Sequence, residues 1–377
     1  MAVANICGFE TGDSSEFIAV VGTQSVVTSP VRSGTYAGRV NPTTTATGYF
    51  DFTKAAFSNF LVATIYVRFY FYVATLPASS SEEILHVQET TPGYKVALRI
   101  NSAGNLMLFD KTGTVQIGST GSTALSTATW YRIELVVPAG TSATVDVYLD
   151  GVSEISGTGD TTVNNARRVR FGKGTNRNGQ TIDVYYDDIS VSDSALPGAG
   201  ACLRMDPDGD GDTTAWTIGA GSGAEYLQVD EVPPDGDTTY LVSTLAVGDA
   251  SLVTLESTSS AGISGTINAV KVVGTCKQDG AAAGTFKTRC RNGTTNSDSA
   301  SMANTSAYQS RGDMFATDPN TGAAWTTGGL DTAQAGVVEN ETTDKTRCTA
   351  VYMMVDWVAA AAPATLPTRL TLMGVGN

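Results

Sequence analysis

In the stretch "ATIYVRFYFYVATLP" (63–77), apolar residues alternate with tyrosines and an arginine. In a β-strand, alternate side chains point to opposite faces. One face is apolar and consists of Ile65, Val67, Phe69, Phe71 and Val73. The opposite face consists of Tyr66, Arg68, Tyr70 and Tyr72. The pattern therefore predicts a strand that buries one face in a core and turns aromatic rings and an arginine to the other side.

Similar strand patterns fill residues 1–197 at intervals of about ten residues. "YKVALRI" and "LMLFD", joined by "NSAGN", predict a hairpin over 94–110. "WYRIELVV" and "ATVDVYLDG" predict two more strands, and Asp150-Gly151 forms a tight turn into "VSEI". In "TIDVYYDDISVSD" the apolar phase slips by one residue, which predicts a β-bulge at Asp187-Asp188. No convincing helix interrupts these strands, so we expect an antiparallel sandwich.

The composition agrees with an all-β protein of two domains. The chain has 377 residues, 40 glycines and only 16% charged residues, which suits short strands joined by turns. Its net charge of −14 argues against nucleic acid as a partner, because phosphate binding requires clustered Lys and Arg. Neither a secretory signal nor an apolar stretch long enough for a membrane helix is visible, so no membrane partner is expected.

A second domain is predicted over 198–357. The boundary is "VSDSALPGAGAC" (191–202), which is short and contains Pro, Gly and Ala. "TRCTAVYMMVDW" (346–357) is apolar on both faces, as expected of a central buried strand. We expect a long hairpin from 264–276 and 284–293, and "LDTAQAGVVE" (330–339) as a short helix or a loop. The tail 358–377 either adds a strand to a neighbouring subunit or is a partly ordered terminus.

"DPDGDGDTTAW" (206–216) contains the clearest cluster of metal-type ligands. Four aspartates are the weak candidates for a Ca²⁺ site: Asp206, Asp208, Asp210 and Asp212. Thr217 stands where a twelve-residue calcium loop needs its bidentate glutamate. "DGDTT" also recurs at 235–239, and a repeated turn that leads into a strand explains both copies without an ion. No metal and no cofactor are therefore expected.

No catalytic constellation is evident. Glycosidases need two carboxylates roughly 5–10 Å apart. Glu83 and Glu89 are six residues apart, an even number, and would share a face of one strand, but this separation spans about 20 Å. His86 is the only histidine, and no nucleophile motif accompanies it. The prediction is a protein without enzymatic activity.

Two further sets of residues are given structural interpretations. The five cysteines are widely spaced and odd in number, which favours reduced thiols over a bridge between Cys276 and Cys290. The triplet "RGD" (311–313) is too short a match to indicate integrin binding.

The order of several segments resembles the laminin-G-like, concanavalin A-like jelly roll over the first 195 residues. These segments are "SGTYAGRV" (33–40), "YVRFYFYVATLP" (66–77), "WYRIELVV" (130–137), "VYLDGV" (147–152) and "VYYDDISVSD" (184–193). The resemblance implies a β-sandwich domain over 1–197, in a superfamily that includes lectins, adhesion modules and glucanases. On this fold, the face of Tyr66, Arg68, Tyr70 and Tyr72 could stack sugar rings. The alternative is that these side chains pack beneath a loop, a second domain or another subunit.

The second part is similar to a module of virion proteins of tailed bacteriophages. The similarity rests on "DGDTTAW" (210–216), "VDEVPPDGDTTYL" (229–241), "GTINAVKVVGTCKQDG" (265–280), "DPNTGAAWT" (318–326) and "RCTAVYMMVDW" (347–357). It implies a non-enzymatic virion structural protein, made in the bacterial cytoplasm and placed on the capsid surface or in the tail apparatus. The expected partners are other virion proteins, further copies in a homo-oligomer such as a trimer, and a host surface glycan. The alternatives are a carbohydrate-binding adhesin or receptor-binding tail fibre component and, more remotely, a glycoside hydrolase.

Overall fold

The computed structural model describes residues 3–89, 93–174, 178–280 and 284–359. Within these ranges the chain forms two successive β-sandwiches, each made of two antiparallel sheets. The all-β fold class predicted from the sequence is confirmed. Two short helical turns, the 3₁₀ turn Tyr226–Gln228 and α1 at Thr327–Leu330, are the helical segments of this part of the chain.

The first sandwich contains fifteen strands, from β1 to β15. In chain order they are Val3–Cys7, Ala19–Gly22, Gln24–Val27, Ala37–Val40, Gly48–Phe52, Thr64–Thr75, Ser81–Gln88, Tyr94–Asn101, Leu106–Phe109, Gln116–Ile117, Trp130–Pro138, Ala143–Leu149, Val152–Gly159, Arg168–Lys173 and Asp183–Ser192. Sheet 1 has the order β13-β12-β11-β6-β15-β4-β3, with β1 also paired to β15. Sheet 2 has the order β10-β9-β8-β7-β14-β5-β2.

Strand β6 lies in the middle of sheet 1 and covers most of the alternating stretch 63–77. It pairs with β11 on one side and with β15 on the other. Its five apolar side chains are fully buried in the core between sheets 1 and 2. Burying a side chain of this size stabilises a fold by about 1.5–3 kcal/mol, so the alternation fixes which face of the strand is internal.

Several local predictions for this sandwich are confirmed. β8 and β9 form the hairpin predicted over 94–110. Asp150 and Gly151 both have positive φ (51° and 86°), as a tight two-residue turn between β12 and β13 requires. The pairing of β15 with β6 shifts register between Asp187 and Ser190, which is the predicted bulge.

The second sandwich contains twelve strands, from β16 to β27. In chain order they are Ala201–Met205, Pro207–Thr214, Thr217–Ala220, Tyr240–Val242, Ala250–Leu255, Gly265–Gln278, Thr285–Asn292, Thr295–Asp298, Met302–Ala303, Gln309–Met314, Ala333–Glu339 and Thr346–Ala359. Sheet 3 has the order β18-β19-β27-β21-β25, with β16 also paired to β27. Sheet 4 has the order β17-β20-β26-β22-β23, with β24 also paired to β22. Strand β27 is the central buried strand that its two apolar faces predicted.

Three predictions for the second sandwich are wrong. Strands β21 and β22 do not form a hairpin, because β21 lies in sheet 3 and β22 in sheet 4. The stretch 330–339 is mainly β26, whose buried side chains pack in the core, and only Leu330 belongs to α1. The first "DGDTT" copy is part of β17 and pairs with β20, whereas the second copy is the turn that precedes β19.

Residues 360–377 of the predicted tail lie outside the described residues, and 358–359 end β27.

The two sandwiches meet at a buried junction that contains β1. The junction has a small apolar core of its own, formed by Ile6, Cys202, Ala269, Val273, Tyr352 and Met354. Two buried ion pairs cross it: Arg68 with Asp356, and Lys271 Nζ with Glu16 Oε1 at 2.8 Å. These contacts join the sandwiches through charged as well as apolar groups.

Strand β25, at one edge of sheet 3, is covered by the first sandwich. The N–H groups of Ser310 and Gly312 donate to the carbonyls of Ser15 and Ala55. An unpaired strand edge invites association with another chain, and here loops of the first sandwich satisfy part of it. The "RGD" triplet lies within β25 at this covered edge, and its Gly312 is buried.

Among the described residues, no helix has the length and apolar character needed to cross a bilayer.

Candidate functional site

The four residues predicted as a ligand face lie together on the outer face of sheet 1, where their environments differ. Tyr66 and Tyr72 are half-buried, Tyr70 is 8% exposed and Arg68 is fully buried. The strand pattern therefore predicted the shared face correctly, but not the access to it.

Arg68 lies beneath the second sandwich and cannot stack on a sugar. Its Nη1 is 3.1 Å from both carboxylate oxygens of Asp356, and its Nε donates to the carbonyl of Asp188 at 3.1 Å. Burial raises the pKa of Asp356, and the Arg68 charge opposes this shift. The assignment of Arg68 to the ligand face is corrected: it is a junction residue, as the packing alternative expected.

Tyr70 is also covered on one side. The guanidinium of Arg32 lies 3.7 Å from the centre of the Tyr70 ring, and Arg32 Nη1 donates to Asp188 Oδ2 at 2.8 Å. Asp188 belongs to the bulge in β15, and its backbone and side chain bind residues from both sides of the junction. The bulge thus helps to place Arg32 over Tyr70.

Farther along this face, Tyr72, Trp130 and Tyr185 form an aromatic shelf, in which Tyr185 is 7% exposed and serves mainly as the base of the other two rings. Strand pairing brings them together, because Trp130 of β11 and Tyr185 of β15 both lie opposite Tyr72 of β6. The ring centres of Tyr72 and Trp130 are 5.4 Å apart, and those of Tyr72 and Tyr185 are 5.5 Å apart. Tyr72 and Trp130 are half-buried, so part of each ring faces solvent.

A charged pair borders the shelf. Arg39 of β4 lies over the Tyr185 ring at 5.6 Å, and its Nε and Nη2 donate to the two oxygens of Asp183 at 2.9 and 2.7 Å. Burial is the main cause of the raised pKa of Tyr185, so its hydroxyl stays protonated at neutral pH. The shelf therefore offers aromatic rings, hydroxyl groups and a guanidinium–carboxylate pair side by side.

Sequence reasoning named Tyr72 but missed Trp130 and Tyr185. Both begin or continue strands with clear alternation, so the sequence predicts which side chains share a face within each strand. Which strands are neighbours is decided by the sheet order β11-β6-β15, and these strands are far apart in the sequence.

The outer face of sheet 2 holds a second polar cluster. A register shift between Glu83 and Leu85 interrupts the regular alternation of side chains along β7 and places Glu83 beside His86. Their closest atoms, Glu83 Oε2 and His86 Nε2, are 2.8 Å apart. Both side chains are fully buried, so the pair has no surface from which to act on a substrate. Glu89 instead accepts hydrogen bonds from Thr162 and Asn164.

Asp208, Asp210 and Asp212 of the calcium-loop candidate lie along β17, and Asp206 lies directly before it, so these residues do not form a calcium-binding loop. Asp208, Asp210 and Asp212 are exposed on one face of the strand. Each carboxylate has a partner of its own: Asp206 accepts from Arg204, Asp208 from Thr254, Asp210 from the Tyr226 N–H, and Asp212 from Arg291. Within the described ranges, no group of three or more His, Cys, Asp or Glu side chains is placed to hold a metal ion.

All five cysteines are buried free thiols. Cys276 lies opposite Cys348 on neighbouring strands of sheet 3, whereas Cys290 lies in sheet 4. The different sheets argue against the alternative bridge between Cys276 and Cys290, and the reduced state of the thiols stays a prediction.

Comparison with known proteins gives one family model that matches part of the first sandwich, together with likenesses to solved structures. A family model described as "SO2946-like, C-terminal domain" matches residues 33–188. No curated protein matches the chain.

Among solved structures, "Cellulose induced protein, Cip1" is 18% identical, with a TM-score of 0.42, covering 52% of this chain and 100% of that one. An endo-beta-1,4-glucuronan lyase from Trichoderma reesei is 16% identical, with a TM-score of 0.39, covering 51% and 96%. A carbohydrate esterase from the Shiga toxin-encoding bacteriophage phi24B is 16% identical, with a TM-score of 0.35, covering 47% and 90%. These likenesses decide neither ligand nor activity.

Proposed function

We propose that this protein is a non-enzymatic, carbohydrate-binding structural protein of a tailed-bacteriophage virion. The observation that carries the binding part is the aromatic shelf of Tyr72, Trp130 and Tyr185 on the outer face of sheet 1. Aromatic rings stack on the apolar faces of ligand rings, and polar groups at their border fix the orientation. The Arg39–Asp183 pair supplies a donor and an acceptor at that border.

The shelf suits a neutral glycan better than a strongly charged ligand. The guanidinium of Arg39 is already bound through two hydrogen bonds to Asp183, which neutralises its charge locally. A pair of this kind still interacts with hydroxyl groups through its outward lone pairs and N–H groups. The shelf is carried by three adjacent strands, so its geometry is held by the sheet rather than by a loop.

The virion part of the proposal is supported by the resemblance of the second sandwich to modules of phage virion proteins. The junction agrees with such a role, because buried ion pairs and an apolar core hold the two sandwiches together. In this arrangement the second sandwich attaches to other virion proteins and the first presents the shelf outwards. We extend the proposal to a homo-oligomeric assembly made in the bacterial cytoplasm.

Glycan arrays, followed by calorimetry on the best ligand, test the binding function. We expect Trp130→Ala and Tyr72→Ala to weaken binding by about fivefold each, since stacking on one aromatic ring contributes on the order of 1 kcal/mol. Tyr148→Ala is the matched control, because Tyr148 is a half-buried tyrosine of the same sheet face outside the shelf. Absence of binding to every glycan, or equal losses in all three variants, would refute the shelf as the binding site.

Two other measurements test the remaining parts. Incubation with polysaccharides should release no oligosaccharide and no unsaturated product. Release of product would refute the non-enzymatic part of the proposal. Mass spectrometry of purified virions should detect the chain, and virions that lack it would contradict the structural role.

A further inference from the structure

A cleft of about 300 Å³ lies where the two sandwiches meet. The first sandwich contributes Glu10 and Tyr36, and the second contributes Leu203, Arg204, Asp206 and Glu256. The cleft is separate from the aromatic shelf and shares no residue with it. Its volume is at the lower end of the range for small-molecule sites, which suits a small ligand rather than a polymer.

Arg204 is the unusual residue of this cleft. Its side chain is 4% exposed, its Nε donates to Asp206, and its guanidinium lies 4.2 Å from the centre of the Tyr352 ring. Its two terminal nitrogens, Nη1 and Nη2, are buried and make no hydrogen bond to any described residue. Unmade hydrogen bonds of a buried charged group are costly, so most such groups in proteins have partners. The terminal nitrogens therefore indicate an acceptor that the described residues do not supply.

Acceptors for a ligand's own hydrogen atoms lie in the same cleft. Glu256 uses Oε1 to accept the Asp206 N–H at 3.1 Å, and Oε2 has no hydrogen bond among the described residues. Glu10 is fixed by the N–H groups of Thr35 and Tyr36. Burial raises the pKa of Glu10 to about 7, so this carboxyl is partly neutral at physiological pH. The cleft thus combines the two terminal nitrogens of Arg204, which lack acceptors, with one free carboxylate oxygen of Glu256.

The geometry points to a binding site for one neutral sugar residue in this cleft. Sugar hydroxyl groups both accept and donate, so they satisfy the terminal nitrogens of Arg204 and the free oxygen of Glu256 together. An anionic ligand would meet Asp206 and Glu256, and a cationic ligand would meet Arg204. Tyr36 and Leu203 provide contacts for the apolar face of the ring. This site extends the proposed glycan binding but does not depend on the shelf.

Ligand-observed NMR and calorimetry with methyl hexosides test the site, with methyl glucuronoside and glucosamine as charged comparisons. We expect at least one neutral methyl hexoside to bind at millimolar concentration and both charged sugars to bind more weakly. Ala261→Trp, which fills the cleft from its half-buried wall, should abolish binding. Glu256→Gln, which keeps the size of the side chain, should weaken it about tenfold. Melting curves establish that both variants fold.

Trp130→Ala is the control that separates the two sites. Methyl hexoside binding in the cleft should survive Trp130→Ala, because the shelf shares no residue with the cleft. The proposal would be overturned if Trp130→Ala abolished this binding or if both cleft variants retained it. Stronger binding of a charged sugar, or no binding by any methyl hexoside, would also overturn it. Glycan binding that depends only on Trp130 would leave the proposed function intact while removing the cleft site.

Discussion

Arg68 and Tyr72 lie four residues apart on the same outer face of β6, yet they have opposite environments. Arg68 is fully buried and paired with Asp356 of the other sandwich. Tyr72 is half-buried and lies in the aromatic shelf. The alternation along a strand therefore determines the face of the sheet on which a side chain lies. A distant part of the chain determines whether that face is covered.

The two ends of this face therefore contribute in different ways. At the covered end, each charge depends on its partner, because a buried charge without a partner is strongly destabilising. At the open end, aromatic contacts add little to stability and leave surface for a ligand. Substitutions at the covered end should therefore cost more stability than substitutions at the open end.

The largest effect should come from Arg68→Met. The substitution leaves the Asp356 carboxylate buried without its partner, which should lower the free energy of unfolding by about 3–5 kcal/mol. Urea denaturation at neutral pH measures the change. Arg68→Met combined with Asp356→Leu should recover much of the loss, because apolar side chains replace both charges. An unchanged urea midpoint for the single variant would break the comparison.

Gly200→Ala should have the next largest effect. A Cβ at Gly200 would lie 2.3 Å from both Arg68 Nη1 and Asp356 Oδ1, so the ion pair would have to shift. We expect a loss of about 1–3 kcal/mol, which is typical of overpacking. Gly328→Ala is the matched control, because a Cβ there meets no atom within 4 Å. Equal melting temperatures for the two variants would show that space over the ion pair is not limiting.

A different effect, visible as pH dependence, should come from Glu10 in the junction cleft. The folded protein raises the pKa of Glu10 from 4.5 to about 7, mainly through burial, while Asp188 raises it and Arg204 lowers it. The folded state therefore binds the proton more tightly, so this group's contribution to stability falls as the pH rises from about 4.5 to about 7. Glu10→Gln should remove that part of the slope, so the free energy of unfolding of the variant minus that of the wild type should be larger at pH 8 than at pH 4 by about 3 kcal/mol.

Urea denaturation of wild type and Glu10→Gln between pH 4 and pH 8 measures this difference. Parallel stability profiles would show that Glu10 does not titrate in this range. The Arg68→Met variant should keep the Glu10 slope, because Arg68 and Glu10 act at separate points of the junction.

The smallest effect on stability should come from Tyr72→Ala. Removal of a half-buried ring from the shelf should cost about 0.5–1.5 kcal/mol through its contacts with Trp130 and Tyr185. Thermal melting measures this change. A loss as large as that of Arg68→Met would show that the shelf is part of the structural core, and the contrast between the two ends of β6 would disappear.

Much of the first sandwich could be predicted from local patterns. The bulge near Asp187 follows from a one-residue slip in apolar phase, and the turn at Asp150-Gly151 follows from two residues that tolerate positive φ. Such features depend on neighbouring residues, so the sequence shows them directly.

Predictions that depend on pairing across the chain were less successful. The strands at 265–278 and 285–292 follow each other closely in sequence, yet they belong to opposite sheets because their partners are β27 and β26. The bulge between Glu83 and Leu85 has no clear sequence signal, because Glu82 and Glu83 are alike and Ile84 and Leu85 are both apolar. The Glu83–His86 pair was missed for that reason.

The amino-acid sequence alone indicates that the protein is built of antiparallel strands and which side chains of each strand share a face. These properties follow from alternation and composition, which act over a few residues. Three features come instead from tertiary packing: Arg68 is covered by the second sandwich, Trp130 and Tyr185 join Tyr72, and Arg204 lies in a cleft with Glu256. Each of these depends on segments far apart in the chain, and their positions are set by burial of the whole core and not by local preference.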